Sequence, residues 1–187
     1  MIRIRKARPA DAAAIAAIHV ETWRSTYPGI LPAAYLASLS LPRIAASYQR
    51  GLLERREGSA MFVAVAEPEV GFGPPQLVGF ASGARARRPA LAQGEIETLY
   101  LLEDWRERGV GRRLMRATAA HLSAIGCHSA MLWVLSENPA RWFYQHLGGR
   151  LVGTDTVRVG GMAVPQTAML WDPIQTLLLA TARADGA

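Results

Sequence analysis

The amino-acid sequence predicts an α+β domain: a mixed central β-sheet of about seven strands flanked by helices. Three observations carry this prediction. Short apolar stretches of strand period, at residues 2–5, 61–66, 76–83 and 95–101, are interleaved with longer segments of helical period. Residues 130–135 form a continuous apolar run, as expected of a strand covered by helices on both faces. The chain has 187 residues, of which 50% are hydrophobic and 19% charged, a globular balance with enough length to bury a substantial single core.

In order along the chain, Ile2 and Ile4 share one face of a short strand. Arg8-Pro9-Ala10-Asp11 then opens a helix, Pro9 suiting the first helical position and Asp11 complementing the helix dipole. Ile15, Ile18, His19, Thr22 and Trp23 fall along one face of it. Pro28, Gly29 and Pro32 break that helix, and a second helical region covers about residues 33–53, interrupted near Leu41-Pro42. Residues 61–66 and 76–83 read as a hairpin across a loop, 68–75, rich in glycine and proline. A third strand, 95–101, runs into a glycine turn and a helix over 111–125, where Leu114, Met115, Thr118, Ala119, Leu122 and Ile125 recur at helical spacing. The apolar strand 130–135 follows, then a short helix ended by Gly148-Gly149. Strands 151–159 and 162–170 turn about Gly160-Gly161. Residues 1–172 make one domain; 173–187 are a C-terminal tail in which Ile174, Leu177 and Leu178 add a helical turn or fray.

Net charge is +6, and Lys6 is the only lysine. Arginine suits bidentate contact with phosphate. Arg106, Arg108, Arg112, Arg113 and Arg116 crowd around the glycine turn, which points to a small polyphosphate ligand; Arg85, Arg87 and Arg88 read as a solvated loop. Against nucleic acid as a partner, no aromatic-interleaved basic stripe or reader motif is present. The N-terminus lacks a signal-peptide core, no apolar run reaches membrane-spanning length, and the one cysteine, Cys127, fits a reducing compartment. The expectation is a cytoplasmic protein engaging neither membrane nor nucleic acid. No histidine–cysteine cluster has metal-ligand spacing, so no metal is expected.

The densest chemical signal is Trp105-Arg106-Glu107-Arg108-Gly109-Val110-Gly111-Arg112-Arg113. Two glycines at a strand-to-helix turn bring backbone close to a ligand, and the unpaired N–H groups of the first helical turn suit an anion such as pyrophosphate. A third glycine and a downstream acidic residue, as in a dinucleotide fingerprint, are missing; so is the Gly-Lys-Ser/Thr of a P-loop. The form Arg106-x-x-Gly109-x-Gly111 resembles the acetyl-CoA signature of the GNAT superfamily of N-acetyltransferases. Asn138-x-Ala140-x-x-Phe143-Tyr144-x-x-x-Gly148 resembles that family's second block, in the expected order and context. The element order matches the family's fold from about Ile2 to Trp171, with Gly149 in place of a usual phenylalanine and Leu102-Glu103 where a proline is common.

The resemblance implies acetyl-CoA as cosubstrate, its pyrophosphate held by backbone N–H groups of Arg106, Glu107, Arg108, Gly109, Val110 and Gly111, with Arg112 among the flanking counter-charges. It implies that the strand at Leu99, Tyr100 and Leu101 splays from its neighbour to pair with pantetheine, and that an N–H there stabilises an oxyanion. Asn138 is expected to hydrogen-bond the pantetheine arm. Tyr144 stands where the family places the acid that protonates the departing thiolate; packing into the core is the other reading. An acidic residue on the strand before the motif often serves as base, which ranks Glu97 first, with Glu95 on the same face by alternation and a salt-bridged role as the alternative. The acceptor side falls on His19, Glu21, Trp23 and Tyr27, where Trp23 and Tyr27 either wall a small pocket or simply pack, and where His19 reads first as a packed, hydrogen-bonded histidine.

The function so implied is transfer of acetyl to a primary amine of a small molecule or peptide, by direct attack in a ternary complex. The alternative is a non-catalytic acetyl-CoA-binding sensor. The apolar tail offers a contact for a homodimer.

Overall fold

The computed structural model describes residues 1–54, 56–68 and 73–182. Of the loop predicted at 68–75, residues 69–72 lie outside the described residues, as do 183–187 of the tail. The elements are β1 (Ile2–Lys6), α1 (Ala12–Thr26), α2 (Ala33–Ala37), α3 (Leu41–Glu54), β2 (Ala60–Ala66), β3 (Gln76–Arg85), β4 (Gly94–Leu101), α4 (Val110–Ala124), β5 (Ala130–Leu135), α5 (Ala140–His146), β6 (Arg150–Val159), β7 (Met162–Trp171) and α6 (Gln175–Ala182). Single 3₁₀ turns at Pro9–Asp11 and Glu103–Trp105 precede α1 and α4.

Seven strands form one sheet in the order β1-β2-β3-β4-β5-β7-β6. Every neighbouring pair is antiparallel except β4 and β5, which are parallel. Alternation along β2 shows how the layers stack. Val63 and Val65 pack with Ile15 and Ile18 of α1, whereas Ala64 and Ala66 pack with Val110 and Leu114 of α4. The two helices therefore cover opposite faces. Around β5 and β7 the core is completed by Leu122, Trp171, Ile174 and Leu177.

The link from β1 to α1 is held by Asp11. Its carboxylate accepts from both terminal nitrogens of Arg5, at 2.7 and 2.8 Å, and from the Arg8 N–H at 2.7 Å. The hydrogen-bonded Arg5 guanidinium holds the Asp11 carboxyl below the usual carboxylate range, with the Arg8 N–H adding to the effect against the cost of burial. The break in the second helical region falls at residues 38–40, and Leu41-Pro42 opens α3 instead of interrupting it. Residues 173–182 do not fray. They include α6, with Ile174 and Leu177 fully buried, the Ile174 N–H donating to the His128 carbonyl at 2.8 Å, and Arg116 donating to the Leu178 carbonyl. Of the apolar groups that suggested a dimer contact, these two are spent on the core; Leu179 is exposed.

Two features of the sheet prepare the site. First, β4 carries a bulge: Ser82 pairs with Thr98 and Gly83 with Ile96, so Glu97 is an extra residue without a register partner in β3. The strict alternation expected through this strand is shifted there, which lets both Ile96 and Leu99 pack toward α4. Second, β4 and β5 share only two register pairs, Gly94 with Ala130 and Glu95 with Met131. Beyond Glu95 the strands part, and the β4 edge at Leu99, Tyr100 and Leu101 faces a gap.

Candidate acetyl-CoA and acceptor site

The turn between β4 and α4 shows why its residues occur where they do. Arg106 is extended (φ −68°, ψ 159°), Glu107 has φ +60°, and Gly109 is left-handed at φ +71° immediately before the helix. Glycine meets that last conformation without a Cβ penalty; Glu107 meets the same one with a side chain. No side chain caps α4, and its first backbone bond runs from the Arg113 N–H to the Gly109 carbonyl at 3.1 Å. The N–H groups of Val110 and Gly111 precede that bond at the positive end of the helix, an arrangement that fits pyrophosphate.

The arginines are less uniform than their clustering in sequence suggests. Arg108 lies over the Trp105 ring at 5.3 Å, and Arg106 donates to Thr26 Oγ1 at 3.0 Å, tying the turn to the end of α1. Arg116 does not join the turn, being directed to α6.

On the far side of the gap stand Asn138 and Tyr144. Asn138 is buried, and its Oδ1 accepts the Ala140 N–H at 2.9 Å at the start of α5. This assignment of the amide directs Nδ2 outward as a donor, and it reaches the Tyr27 hydroxyl at 3.3 Å. Tyr144 is buried on α5, its ring against Phe143 and Trp171. Phe143 in turn approaches Gly111, where an added Cβ would lie 3.5 Å from its ring, so α5 closes over the start of α4. Burial raises the Tyr144 hydroxyl pKa, and Tyr27 and Tyr100 add to the rise, so three phenols converge here and Tyr144 keeps its proton at neutral pH. Among the described residues no hydrogen bond is made by the Tyr144 hydroxyl.

The expected base region is a small charged network. Glu97 pairs with Arg56 at 2.7 Å, and the buried Glu95 pairs with Arg87. Burial pushes the Glu95 carboxyl up, but side-chain and backbone bonds from Arg87 outweigh it and hold the group below the usual range. Arg56 also acts on Glu95, and Glu97 on Arg87, so the two carboxylates are neighbours despite the bulge.

On the acceptor side, Trp23 packs edge-on against Tyr27 and Tyr100 and near Tyr35; His19 stacks between Trp23, Tyr48 and Tyr100. His19 Nδ1 and the Tyr48 hydroxyl hydrogen-bond at 2.8 Å, and burial lowers the imidazole pKa to about 4, leaving it neutral near pH 7. Burial raises the Tyr100 hydroxyl, the neighbouring phenol of Tyr27 adding and the nearby Trp23 indole subtracting. That approach falls short of hydrogen-bond geometry, and the fully enclosed Trp23 Nε1 has no partner among the described residues. Glu21 is not brought to this cluster. It is exposed, beside Ala17, Arg24 and Leu41 on a separate shallow surface. Sequence reasoning missed Tyr35 and Tyr48, which come from α2 and α3; neither lies in a motif, and only the packing of those helices brings them in.

The pattern of the acetyltransferase (GNAT) family matches residues 15–148. The chain belongs to the GNAT family. Membership makes it an acetyl-CoA-dependent N-acetyltransferase. An uncharacterized N-acetyltransferase of Bacillus subtilis is 32% identical over 178 residues, covering 95% of this chain and 96% of its own. Among solved structures, the PaiA N-acetyltransferase of Thermoplasma acidophilum in complex with coenzyme A superposes with a TM-score of 0.63 at 19% identity, over 89% of this chain and 98% of its own. YncA of Salmonella typhimurium, solved with acetyl-CoA, gives 0.62 at 20%, over 91% and 93%. At those identities the likeness is one of fold. Among the described residues no helix is long and apolar enough to cross a membrane.

Proposed function

We propose that this GNAT protein acetylates a primary amine of a small molecule or peptide by direct attack in a ternary complex. The observation that carries the reading is the parting of β4 and β5 after Glu95, directly beside the uncapped start of α4. Acetyl-CoA, when bound, supplies the activated acyl group as a thioester. The chain's own residues do the rest. The start of α4 holds the diphosphate, and the free edge at Leu99, Tyr100 and Leu101 offers backbone N–H groups to pantetheine and to the carbonyl oxygen that gains charge. Asn138, already oriented by Ala140 and Tyr27, has one amide hydrogen left for the pantetheine arm. Glu97, directly or through water, takes the proton the acceptor's ammonium must lose. Tyr144 donates its hydroxyl proton toward the sulfur as the C–S bond breaks and the C–N bond forms.

Direct transfer is supported by where the cysteine lies. Cys127 is buried in the turn before β5, at the opposite end of that strand from the opening, with its thiol pKa raised by burial. The test is release of coenzyme A thiol from acetyl-CoA against a panel of amines, amino acids and peptides, with initial rates measured over both substrates. Intersecting double-reciprocal lines are expected. Parallel lines would replace direct attack by an acyl-enzyme, and tight acetyl-CoA binding without turnover on any amine would overturn the enzyme reading in favour of a sensor.

A further inference from the structure

Next to the cleft lies a concavity of about 250 Å³, walled by the Gly29–Ile30 turn, Glu137 and the start of β7 from Met162 to Pro165. Its walls adjoin residues of the candidate reaction centre along the chain. Gly29 follows Tyr27 by two residues, Glu137 precedes Asn138, and Asn138 and Tyr27 are hydrogen-bonded to each other beside Tyr144. Its floor is a strand edge. β7 runs past the end of β5, whose last register pair is Leu135 with Gln166; only the Pro165 carbonyl is taken up there, by the Ser136 N–H at 2.9 Å. The hairpin is pinned over α2, where a Cβ on Gly160 would collide with Tyr35 at 2.7 Å.

Glu137 is the one charged side chain in this wall. Five other carboxylates of this arginine-rich chain are paired: Asp11, Glu67, Glu95, Glu97 and Asp155. Glu137 has no ion pair or hydrogen bond among the described residues. Arg141 of α5 is engaged by the Ser136 carbonyl and the Trp142 ring, and Arg158 of β6 by the Gly161 carbonyl. An exposed, unpaired carboxylate in the wall of a pocket beside the Asn138–Tyr27 pair suits positive charge on the part of the acceptor that does not react.

We infer that Glu137 sets acceptor specificity, favouring amines that carry a second cationic group over amines of the same length whose other end is neutral or anionic. This rests on the acetyltransferase reading and adds the substrate class. The overall charge of +6 opposes polycations at long range, so the preference belongs to the pocket and not to the molecule's field.

The experiment compares three acceptors of one chain length: 1,5-diaminopentane, pentylamine and 5-aminopentanoate. With wild-type protein the expected order of kcat/KM is dication, monocation, zwitterion, each step roughly three- to fivefold, as an exposed ion pair supplies. In Glu137→Gln the dication-to-monocation ratio falls to about two, the statistical factor for two identical amines, and added salt lowers the wild-type ratio in the same direction. A wild-type ratio of diamine to pentylamine no greater than that statistical factor, or a ratio unchanged in Glu137→Gln, would overturn the inference. Should none of the three turn over, calorimetric titration of the diamine into protein saturated with coenzyme A separates the two claims. Binding lost in Glu137→Gln keeps the subsite while counting against catalysis, and absence of binding removes the subsite.

Discussion

The Asn138 side-chain amide donates to the Tyr27 hydroxyl at 3.3 Å, tying the loop after β5 to the end of α1 across 111 positions of chain. The same side chain accepts the Ala140 N–H, so one residue both starts α5 and joins the two walls of the cleft. Asn138→Ala is expected to cost about 1–2 kcal/mol of stability, as loss of a cap and a buried hydrogen bond does. It is also expected to raise the KM for acetyl-CoA about fivefold, the effect of one lost hydrogen bond. Thermal melting and initial rates check the two parts separately.

Tyr144 stays protonated at neutral pH because its hydroxyl is buried among other phenols. Tyr144→Phe keeps the ring contacts with Phe143 and Trp171 and removes only the proton. We expect kcat to fall about a hundredfold with the affinity for coenzyme A within about twofold of wild type. A kcat near the wild-type value would assign Tyr144 to packing alone.

Glu97, the bulged residue of β4, pairs with Arg56 at 2.7 Å. Glu97→Gln is expected to lower kcat by roughly a hundredfold without changing acetyl-CoA affinity. Arg56→Ala leaves the carboxylate in place and is expected to cost less than about tenfold, in keeping with a partly exposed pair. If the Arg56 variant proved the more damaged of the two in kcat, the base would have to be sought elsewhere.

His19 makes stability depend on pH. Its folded pKa is about 4 because of burial, against about 6.5 for an unperturbed histidine. As pH falls through about 6.5 the unfolded chain binds a proton that the folded one refuses until about 4. Stability is therefore full above the upper value and is lost between the two, by about 1–3 kcal/mol. Asp11 and Glu95, held below the usual carboxylate range, add their own losses only at lower pH. Urea unfolding at about pH 7.5 and about pH 5 should show the drop, and His19→Gln, which retains an acceptor for Tyr48, should flatten it.

Most of the fold could be read along the chain because each element's signal is local. Ile2 and Ile4 alternate, Leu114 to Leu122 repeat at helical spacing, and Gly148-Gly149 and Gly160-Gly161 end what precedes them. The glycine turn was equally readable, since Gly109 occupies a backbone conformation that few other residues tolerate. The α6 segment was harder. Its Ile174 and Leu177 are apolar in a short tail, and nothing local distinguishes an anchored turn from a frayed one.

Local sequence thus specified the strands and helices, the order in which they follow one another, and the glycine turn before α4, because dihedral preference and hydrophobic period act over a few residues. The bulge at Glu97, its pairing with Arg56, the neutral His19 beside Tyr48 and the unpaired Glu137 in its pocket came from tertiary structure alone. Each depends on groups brought together from distant positions, where burial and the electrostatic field of the neighbours, absent from any single stretch of chain, set charge state and partner.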